Sequence, residues 1–304
     1  MDQLPLFNKK EIGADNELRF ELPELSELPE KKEKSLSDTP RTLKKSEQKK
    51  PVNPMEKIYS SLIENFRKYF QKHNFQTAIV GLSGGIDSSL TLKIAVDALG
   101  CENVIGVLMP EIGLTSKENI DHAKQLAEIL GVKTYYQPIN TILIDFKLVS
   151  WNPSPLAMMN IRARIRAVLL YSLANTLNGL VLGTSNKSEI MLGYGTKYGD
   201  LAADIEVIGT LYKTQVYELA RYLKFSDVLM NKPPSAELKP NHTDEEELGA
   251  SYRDLDNILQ KIEEGLTVED LIDRGINPTL VHRVSRLVAT NKHKREMPPI
   301  LKVE

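Results

Sequence analysis

The chain has 304 residues, of which 41% are hydrophobic and 26% are charged, proportions close to those of ordinary globular proteins. Its 39 Lys and Arg against 41 Asp and Glu give a net charge of −2, which argues against a protein that holds nucleic acid or an anionic membrane through its overall field. The single cysteine, Cys101, excludes an internal disulfide framework and a Cys-rich zinc site. No segment has the pattern of a secretory signal or a membrane span, so we expect a cytoplasmic protein.

The first part of the chain differs from the rest. Residues 1–54 contain runs of both charges and few aromatic residues. Such a composition buries too little apolar surface to offset the entropy cost of ordering. We therefore predict a disordered polar extension over 1–54 and one domain over 55–304. A second interpretation stays open, because Leu22, Leu25 and Leu28 recur every third residue, as in an arm that docks on an unidentified partner.

From residue 55 onward, segments with helical spacing alternate with short apolar runs. The predicted strands cover 77–82, 103–109, 132–137 and 179–183. The predicted helices cover about 55–72, 87–99, 116–130, 156–177, 214–223, 244–261, 267–273 and 279–290. A glycine-rich loop is predicted over about 184–210. Strands that alternate with helices indicate an α/β fold, with a doubly wound parallel sheet that carries helices on both faces.

The segment after the first predicted strand has the composition of a phosphate-binding loop. Residues 83–89 read SGGIDSS and lead directly into a helix. Gly84 and Gly85 allow a sharp turn and a close approach to a ligand, and the amides at the start of the next helix favour an anion. Neither GxxxxGK[ST] nor GxGxxG is present, so the loop is neither a Walker A motif nor a Rossmann fingerprint. The alternative is a structural strand-to-helix turn.

SGGIDSS resembles the pyrophosphate loop of the N-type ATP pyrophosphatases, which cleave ATP into AMP and pyrophosphate. Later motifs narrow the resemblance, and they occur in a fixed order. They are NIRARIR at 160–166, GTSNKSE at 183–189, TKYGD at 196–200, LYKTQV at 211–216, KPPSAEL at 232–238 and HKR at 293–295. Together they are similar to the ammonia-dependent NAD synthetases over about 55–300, which implies a Rossmann-like fold of the adenine nucleotide alpha hydrolase type.

The resemblance implies a set of ATP-binding residues. They are Gly81, Leu82, Ser83, Gly84, Gly85, Ile86, Asp87, Ser88, Ser89, Thr184, Lys213 and Ser235. It also implies that Asp87 and Lys213 act in catalysis, and that Asp87 and Glu189 share one Mg²⁺ that bridges phosphates. Structural alternatives exist for each: a helix cap for Asp87, a solvated charge for Glu189 and an exposed helix lysine for Lys213. Thr184 and Ser235 fit a strand end or a turn equally well.

A second set of residues is implied to bind deamido-NAD⁺. It consists of Arg164, Lys197, Asp200, Asp204, His293 and Lys294. For the other two arginines of the 160–166 motif, Arg162 and Arg166, we expect side chains that lie over a surface helix. The long loop around Lys197 has disorder as its alternative, and the basic run at 293–295 has a solvated tail.

The resemblance implies amidation of deamido-NAD⁺ to NAD⁺. The nicotinate carboxylate attacks the α-phosphate of ATP, pyrophosphate leaves, and ammonia displaces AMP from the acyl-adenylate. This chemistry needs no side-chain nucleophile, and no Ser/His/Asp or Cys/His set is recognisable. Residues 1–54 are too short for a glutamine amidohydrolase domain and lack a cysteine, so we expect free ammonia or ammonia from a partner.

The family also implies a homodimer with the substrate near the interface. Two alternatives to the NAD reaction stay open. One is another pyrophosphatase of the superfamily, acting on tRNA or forming GMP. The other is a catalytically silent nucleotide-binding regulator that uses its N-terminal arm for docking.

Overall fold

The computed structural model describes residues 53–232 and 244–303 of the chain. The strands are β1 (Thr77–Gly81), β2 (Val104–Leu108), β3 (Lys133–Tyr136), β4 (Gly179–Gly183) and β5 (Ile205–Glu206). The helices are α1 (Pro54–His73), α2 (Ile86–Leu99), α3 (Lys117–Ile129), α4 (Asn140–Asp145), α5 (Pro155–Leu177), α6 (Lys187–Leu192), α7 (Lys213–Tyr222), α8 (Asp227–Met230), α9 (Asp244–Leu248), α10 (Tyr252–Glu263), α11 (Val268–Asp273) and α12 (Pro278–Thr290).

The five strands form one sheet with the order β3-β2-β1-β4-β5, and every pair is parallel. Successive side chains of β1 point to opposite faces, as strand geometry requires. Ala78 and Val80 pack with α1, α2 and α7, whereas Ile79 packs with α4 and α5. Helices therefore cover both faces, and the predicted doubly wound α/β fold is confirmed.

A third apolar cluster lies beside the sheet. It joins Leu192 of α6 and Tyr212 to the buried faces of α10, α11 and α12. These helices end in the segment that carries His293 and Lys294. The cluster thus fixes the C-terminal helices against the loops that follow β4.

Two predicted segments differ from the structure. The predicted glycine-rich loop over 184–210 contains α6 and the short strand β5. A capping box, in which the side chains of Asn186 and Glu189 each accept the other's backbone N–H, starts α6 and is the local reason. The single helix predicted over 244–261 is two, because Gly249 has a φ of +77° and Ser251 caps α10.

Some expectations fall outside the described ranges. The predicted extension over 1–54 lies outside them, except for its last two residues, where α1 begins at Pro54. Ser235 also lies outside, in the gap between 232 and 244. Across the described ranges, the helices are too short or too polar for any of them to cross a bilayer.

Candidate active site

The phosphate loop begins where β1 ends at the carboxyl edge of the sheet. Leu82 N–H donates to the carbonyl of Val107 at 2.9 Å, and Gly85 then caps the start of α2. Gly84 has a φ of +77°, and a Cβ there would overlap the backbone carbonyl of Asn119 at the first turn of α3. Glycine is required at 84 for both reasons, so α3 supports the loop from behind.

The serine hydroxyls of the loop hold its shape. Ser83 Oγ and Ser88 Oγ lie 3.0 Å apart, and Gly85 N–H donates to Ser83 Oγ at 3.2 Å. Ser88 and Ser89 both donate to the carbonyl of Gly85, at 3.1 and 2.8 Å. These bonds fix a turn of which Ser83, Gly85 and Ser88 line the cavity described below.

Three charged side chains from distant positions meet beside this loop. Lys213 Nζ lies 2.5 Å from Asp87 Oδ2 and 3.7 Å from Glu189 Oε1. Asp87 is in the first turn of α2, Glu189 in that of α6, and Lys213 is the first residue of α7. Asn186 links the two carboxylates, since its Nδ2 donates to Asp87 Oδ1 at 3.0 Å and its backbone N–H to Glu189 Oε2 at 3.2 Å. Asn186 belongs to the GTSNKSE motif, but it was assigned no role from the sequence, although its N-x-x-E spacing with Glu189 is a helix-start signal.

This buried group places two acids, Asp87 and Glu189, against one base, Lys213. Lys213 is 1% exposed. Burial opposes its ionised form, but the carboxylates of Asp87 and Glu189 outweigh burial and hold the pKa of the ammonium above its ordinary value. Burial, with the nearby charge of Asp87, raises the pKa of Glu189 to about 8. Only when both acids are ionised do two carboxylates face one ammonium, so burial favours either a proton on Glu189 or a bound cation that takes the place of that proton.

The donor set fits Mg²⁺ in the presence of a nucleotide. Asp87 and Glu189 offer carboxylate oxygens, the ligands that Mg²⁺ prefers. Over 53–232 and 244–303, no cluster of three or more His, Cys, Asp or Glu side chains could hold a metal by itself. Phosphate and water oxygens would have to complete the coordination, as is usual for Mg²⁺ in nucleotide sites.

A cavity of about 440 Å³ extends from the loop along the carboxyl edge of the sheet. Its lining includes Asp87, Thr184, Glu189, Lys213 and much of the 81–88 segment, and its far end reaches Asp200 and Lys294. Of the predicted residues in the described ranges, the following do not line it: Gly84, Ser89, Arg164, Lys197, Asp204 and His293. The volume is within the range of ordinary small-molecule sites.

Four of the residues implied to bind deamido-NAD⁺ lie together near the segment that follows α12. Lys197 Nζ donates to the carbonyl of His293 at 2.5 Å and to that of Glu296 at 3.1 Å. Lys294 Nζ donates to the carbonyls of Gly193 and Gly195, at 2.7 and 2.9 Å. The guanidinium of Arg164 lies 3.4 Å from the carbonyl of Lys197. These bonds tie the loop after α6 to the segment after α12.

The two predicted aspartates of this loop have different surroundings. Asp200 Oδ1 accepts the backbone N–H of Thr196 at 2.9 Å, and Asp200 lines the cavity. Asp204 is exposed, accepts the backbone N–H of Val181 in β4 at 2.8 Å, and lies outside the lining. Asp204 therefore makes a contact that anchors the loop to the sheet.

The other two arginines of the 160–166 motif are not where we expected them. Arg162 and Arg166 were expected to lie over a helix surface, but both are partly buried. Arg162 Nε pairs with Glu111 Oε2 at 2.5 Å. Arg166 Nε donates to the carbonyl of Met109 at 3.0 Å, and Arg166 lines the cavity. Sequence spacing gave their shared helix face but not the neighbouring end of β2, which receives them.

Comparison with known proteins gives one family. A family model described as NAD synthase matches residues 58–298. The NH(3)-dependent NAD(+) synthetase of Methanocaldococcus jannaschii is 44% identical over 250 residues, which cover 81% of this chain and 96% of that protein. Among solved structures, the NH3-dependent NAD synthetase of Campylobacter jejuni is similar with a TM-score of 0.70, 34% identity, and coverage of 83% of this chain and 100% of that one.

A second solved structure, the NMN synthetase of Francisella tularensis, is similar with a TM-score of 0.73 and 27% identity. It covers 83% of this chain, and the match includes 100% of that chain. The family match spans the sheet, the phosphate loop and the C-terminal helices, so the site described above lies within it. The chain belongs to the NAD synthase family.

Proposed function

We propose that the chain converts deamido-NAD⁺, ATP and ammonia into NAD⁺, AMP and pyrophosphate, as a ligase that forms a C–N bond. One observation carries the proposal. Asp87, Glu189 and Lys213 meet at a glycine-rich loop, at one end of a cavity that also reaches Asp200 and Lys294. This arrangement offers phosphate-binding groups and a separate polar region for the acceptor in one continuous space.

The phosphate end is suited to ATP. The amides after Gly84 and the start of α2 favour the charge of the leaving pyrophosphate. Lys213 places a permanent positive charge at the same point. Because these groups are fixed before ATP arrives, they stabilise the developing charge without reorganising.

Asp87 and Glu189 would hold Mg²⁺ there. The ion would supply neutralisation of phosphate charge when bound. Asp87 also pairs with Lys213, which keeps the two groups in place.

The chemistry then depends mainly on position. The nicotinate carboxylate attacks the α-phosphorus, the bond to the bridging oxygen of pyrophosphate breaks, and an acyl-adenylate forms. Ammonia next attacks the acyl carbon, loses a proton, and AMP leaves with one former carboxylate oxygen. The cavity holds carboxylate and α-phosphate together, which replaces a bimolecular encounter by a local one.

The deamido-NAD⁺ assignment follows the cluster of Arg164, Lys197, His293 and Lys294. Lys197 donates to the backbone carbonyl of His293, and Lys294 donates to that of Gly193. We propose that the acceptor's phosphates or ribose replace some of these bonds. Thr184 and Asp200 also line the cavity.

We further propose a homodimer. Helix α5 exposes apolar side chains: Val168 is 68% and Leu156 is 65% exposed. A helix that is apolar on all faces is normally buried. Edge strand β3 is exposed throughout. Light scattering should give twice the 34.2 kDa chain mass, and Val168→Glu should give the single mass. Lys68→Glu, at an exposed position of α1, should keep the doubled mass. A wild-type monomer would exclude the dimer.

The activity test varies acceptor and nitrogen source. Purified chain with ATP and Mg²⁺ receives deamido-NAD⁺ or nicotinate mononucleotide, each with ammonium or glutamine. We expect NAD⁺ from deamido-NAD⁺ with ammonium, and none with glutamine. A clear preference for nicotinate mononucleotide would assign the chain an NMN synthetase activity instead. ATP turnover without either acceptor would contradict the ligase reaction.

A further inference from the structure

A buried carboxylate outside the cavity connects the helices that carry the phosphate-binding groups. Asp256 of α10 is 1% exposed and does not line the cavity. Its Oδ1 accepts the hydroxyl of Ser188 at 2.5 Å, and its Oδ2 accepts the backbone N–H of Thr214 at 2.8 Å. Ser188 Oγ in turn accepts the backbone N–H of Lys213 at 2.9 Å. One carboxylate and one hydroxyl thus join α6, α7 and α10.

The hydrogen bonds of Asp256 and Ser188 lie next to two residues of the phosphate-binding site. Ser188 immediately precedes Glu189, and the other bonds end on the backbone of Lys213 and Thr214. The pair therefore sets where the main chains of Glu189 and Lys213 lie relative to each other. The ammonium of Lys213 depends on that setting, since it is 2.5 Å from one carboxylate and 3.7 Å from the other.

Packing alone does not explain an acid at this position. A buried carboxylate costs free energy unless hydrogen bonds satisfy it. The neighbouring core of α10 is apolar, with Leu255, Ile258 and Leu259 all fully buried. The carboxylate of Asp256 instead accepts hydrogen bonds from Ser188 and from the first turn of α7. The dipole of α7 also favours a negative charge at that end of the helix. Ser188 is itself fully buried, so water does not compete for these bonds.

We propose that Asp256, acting through Ser188, is a positioning residue. It holds Glu189 and Lys213 at the relative position that ATP binding requires. It does not touch the nucleotide. The inference rests on the phosphate-binding function proposed above for Glu189 and Lys213. It predicts that damage at Asp256 appears at the ATP end of the cavity and not at the acceptor end.

The test replaces Asp256 by Asn, which keeps the shape. The amide has one acceptor oxygen where the carboxylate has two, so it cannot reproduce both bonds, from the Ser188 hydroxyl to one oxygen and from the Thr214 N–H to the other. We expect Asp256→Asn to lower kcat/KM for ATP about 10- to 100-fold, because small displacements at a reacting centre have effects of this size. The KM for deamido-NAD⁺ should change little. Asp254→Asn, at an exposed acid of the same helix, should match the wild type.

A second variant tests the coupling. Ser188→Ala removes the hydroxyl and should reproduce part of the same loss. The double variant should be about as impaired as Asp256→Asn alone, because both residues act through one connection. If Asp256→Asn does not fold, Ser188→Ala carries the test. Normal kcat/KM for ATP in a folded variant, equal losses for both substrates, or additive effects would each overturn the proposal.

ATP affinity measured without an acceptor separates this proposal from the proposed function. If the wild type binds ATP but makes no NAD⁺, the proposed function fails. Weaker ATP binding by Asp256→Asn would still support positioning in that case, and unchanged binding would reject it.

Discussion

Lys213 keeps its charge in a place that water hardly reaches, because Asp87 and Glu189 surround it. A buried ion pair stabilises little in net terms, but removing one partner leaves an uncompensated charge. The residues of this group are therefore coupled. A change at one alters the charge state and position of the others.

Replacing Asp87 by Asn should nearly abolish turnover. The change removes a proposed magnesium ligand and the closest partner of Lys213. We expect kcat to fall by at least about 100-fold, as when other preorganised charge-stabilising groups are removed. Pyrophosphate release is the measurement.

Asp97→Asn provides a matched control on the same helix. Asp97 also pairs with a lysine, Lys93, at 2.6 Å, but it does not line the cavity. It should lower stability and leave kcat close to that of the wild type. Comparable losses of kcat in both variants would contradict a specific role for Asp87.

Glu206 predicts a pH effect on stability. Burial raises its pKa from the ordinary 4.5 to about 7. Between these values the folded state retains a proton that the unfolded state has released, so the free energy of unfolding falls as pH rises. The effect is complete above about pH 7.

Glu206→Gln should therefore be more stable than the wild type at about pH 8, by on the order of 1 kcal/mol, and the advantage should vanish near about pH 4. Thermal unfolding across pH is the measurement. Glu64→Gln replaces an exposed carboxylate whose pKa is lowered by Lys68. This variant should not gain stability relative to the wild type as pH rises. An advantage independent of pH would reject the assignment to Glu206.

Single residues were predictable where a motif carried them. Asp87, Glu189 and Lys213 each belong to a contiguous motif, and the structure brings their side chains together, while their roles toward ATP and Mg²⁺ stay predictions. The Asp256–Ser188 bond joins positions 68 residues apart. Helical spacing puts Asp256 on the same face as Tyr252 and Leu259, but no pattern along the chain identifies its partner. Such connections depend on how helices pack, which spacing along the chain does not encode.

At the scale of elements, the contact between the phosphate loop and α3 determines the shape of the site. Gly84→Ala should strain a backbone with positive φ and push against the carbonyl of Asn119. Gly113 is the matched control, because its φ is +94° and a Cβ added there would meet nothing within 4 Å. Gly113→Ala should thus cost only the conformational term, about 1–2 kcal/mol.

Gly84→Ala should lose more stability than Gly113→Ala and raise the KM for ATP about 10-fold or more. Unfolding and ATP kinetics of both variants measure the difference. Equal effects would mean that α3 does not support the loop.

The elements that the sequence predicted well have strong local signals. The buried strands β1, β2 and β4 are apolar runs, and α5 is bounded by Ser154 and Asn178 as caps. Strand β5 has two residues, too few for a pattern, and forms because β4 offers it a partner edge. Helix α6 has six residues within glycine-rich surroundings.

For the whole molecule, we predict that residues 53–304 carry the complete reaction. The family match starts at residue 58, and α1 starts at Pro54. Because the family match leaves residues 1–52 out, we expect their removal to leave kcat/KM for ATP and for deamido-NAD⁺ within about twofold. A large loss of either would place part of the site in the removed segment.

In the proposed reaction, the acceptor carboxylate itself attacks the α-phosphate of ATP. Deamido-NAD⁺ labelled with ¹⁸O in the nicotinate carboxylate tests this step directly. After amidation with ammonium, mass spectrometry should find one labelled oxygen in AMP and none in pyrophosphate. Label in pyrophosphate, or unlabelled AMP alongside newly formed NAD⁺, would contradict the acyl-adenylate route.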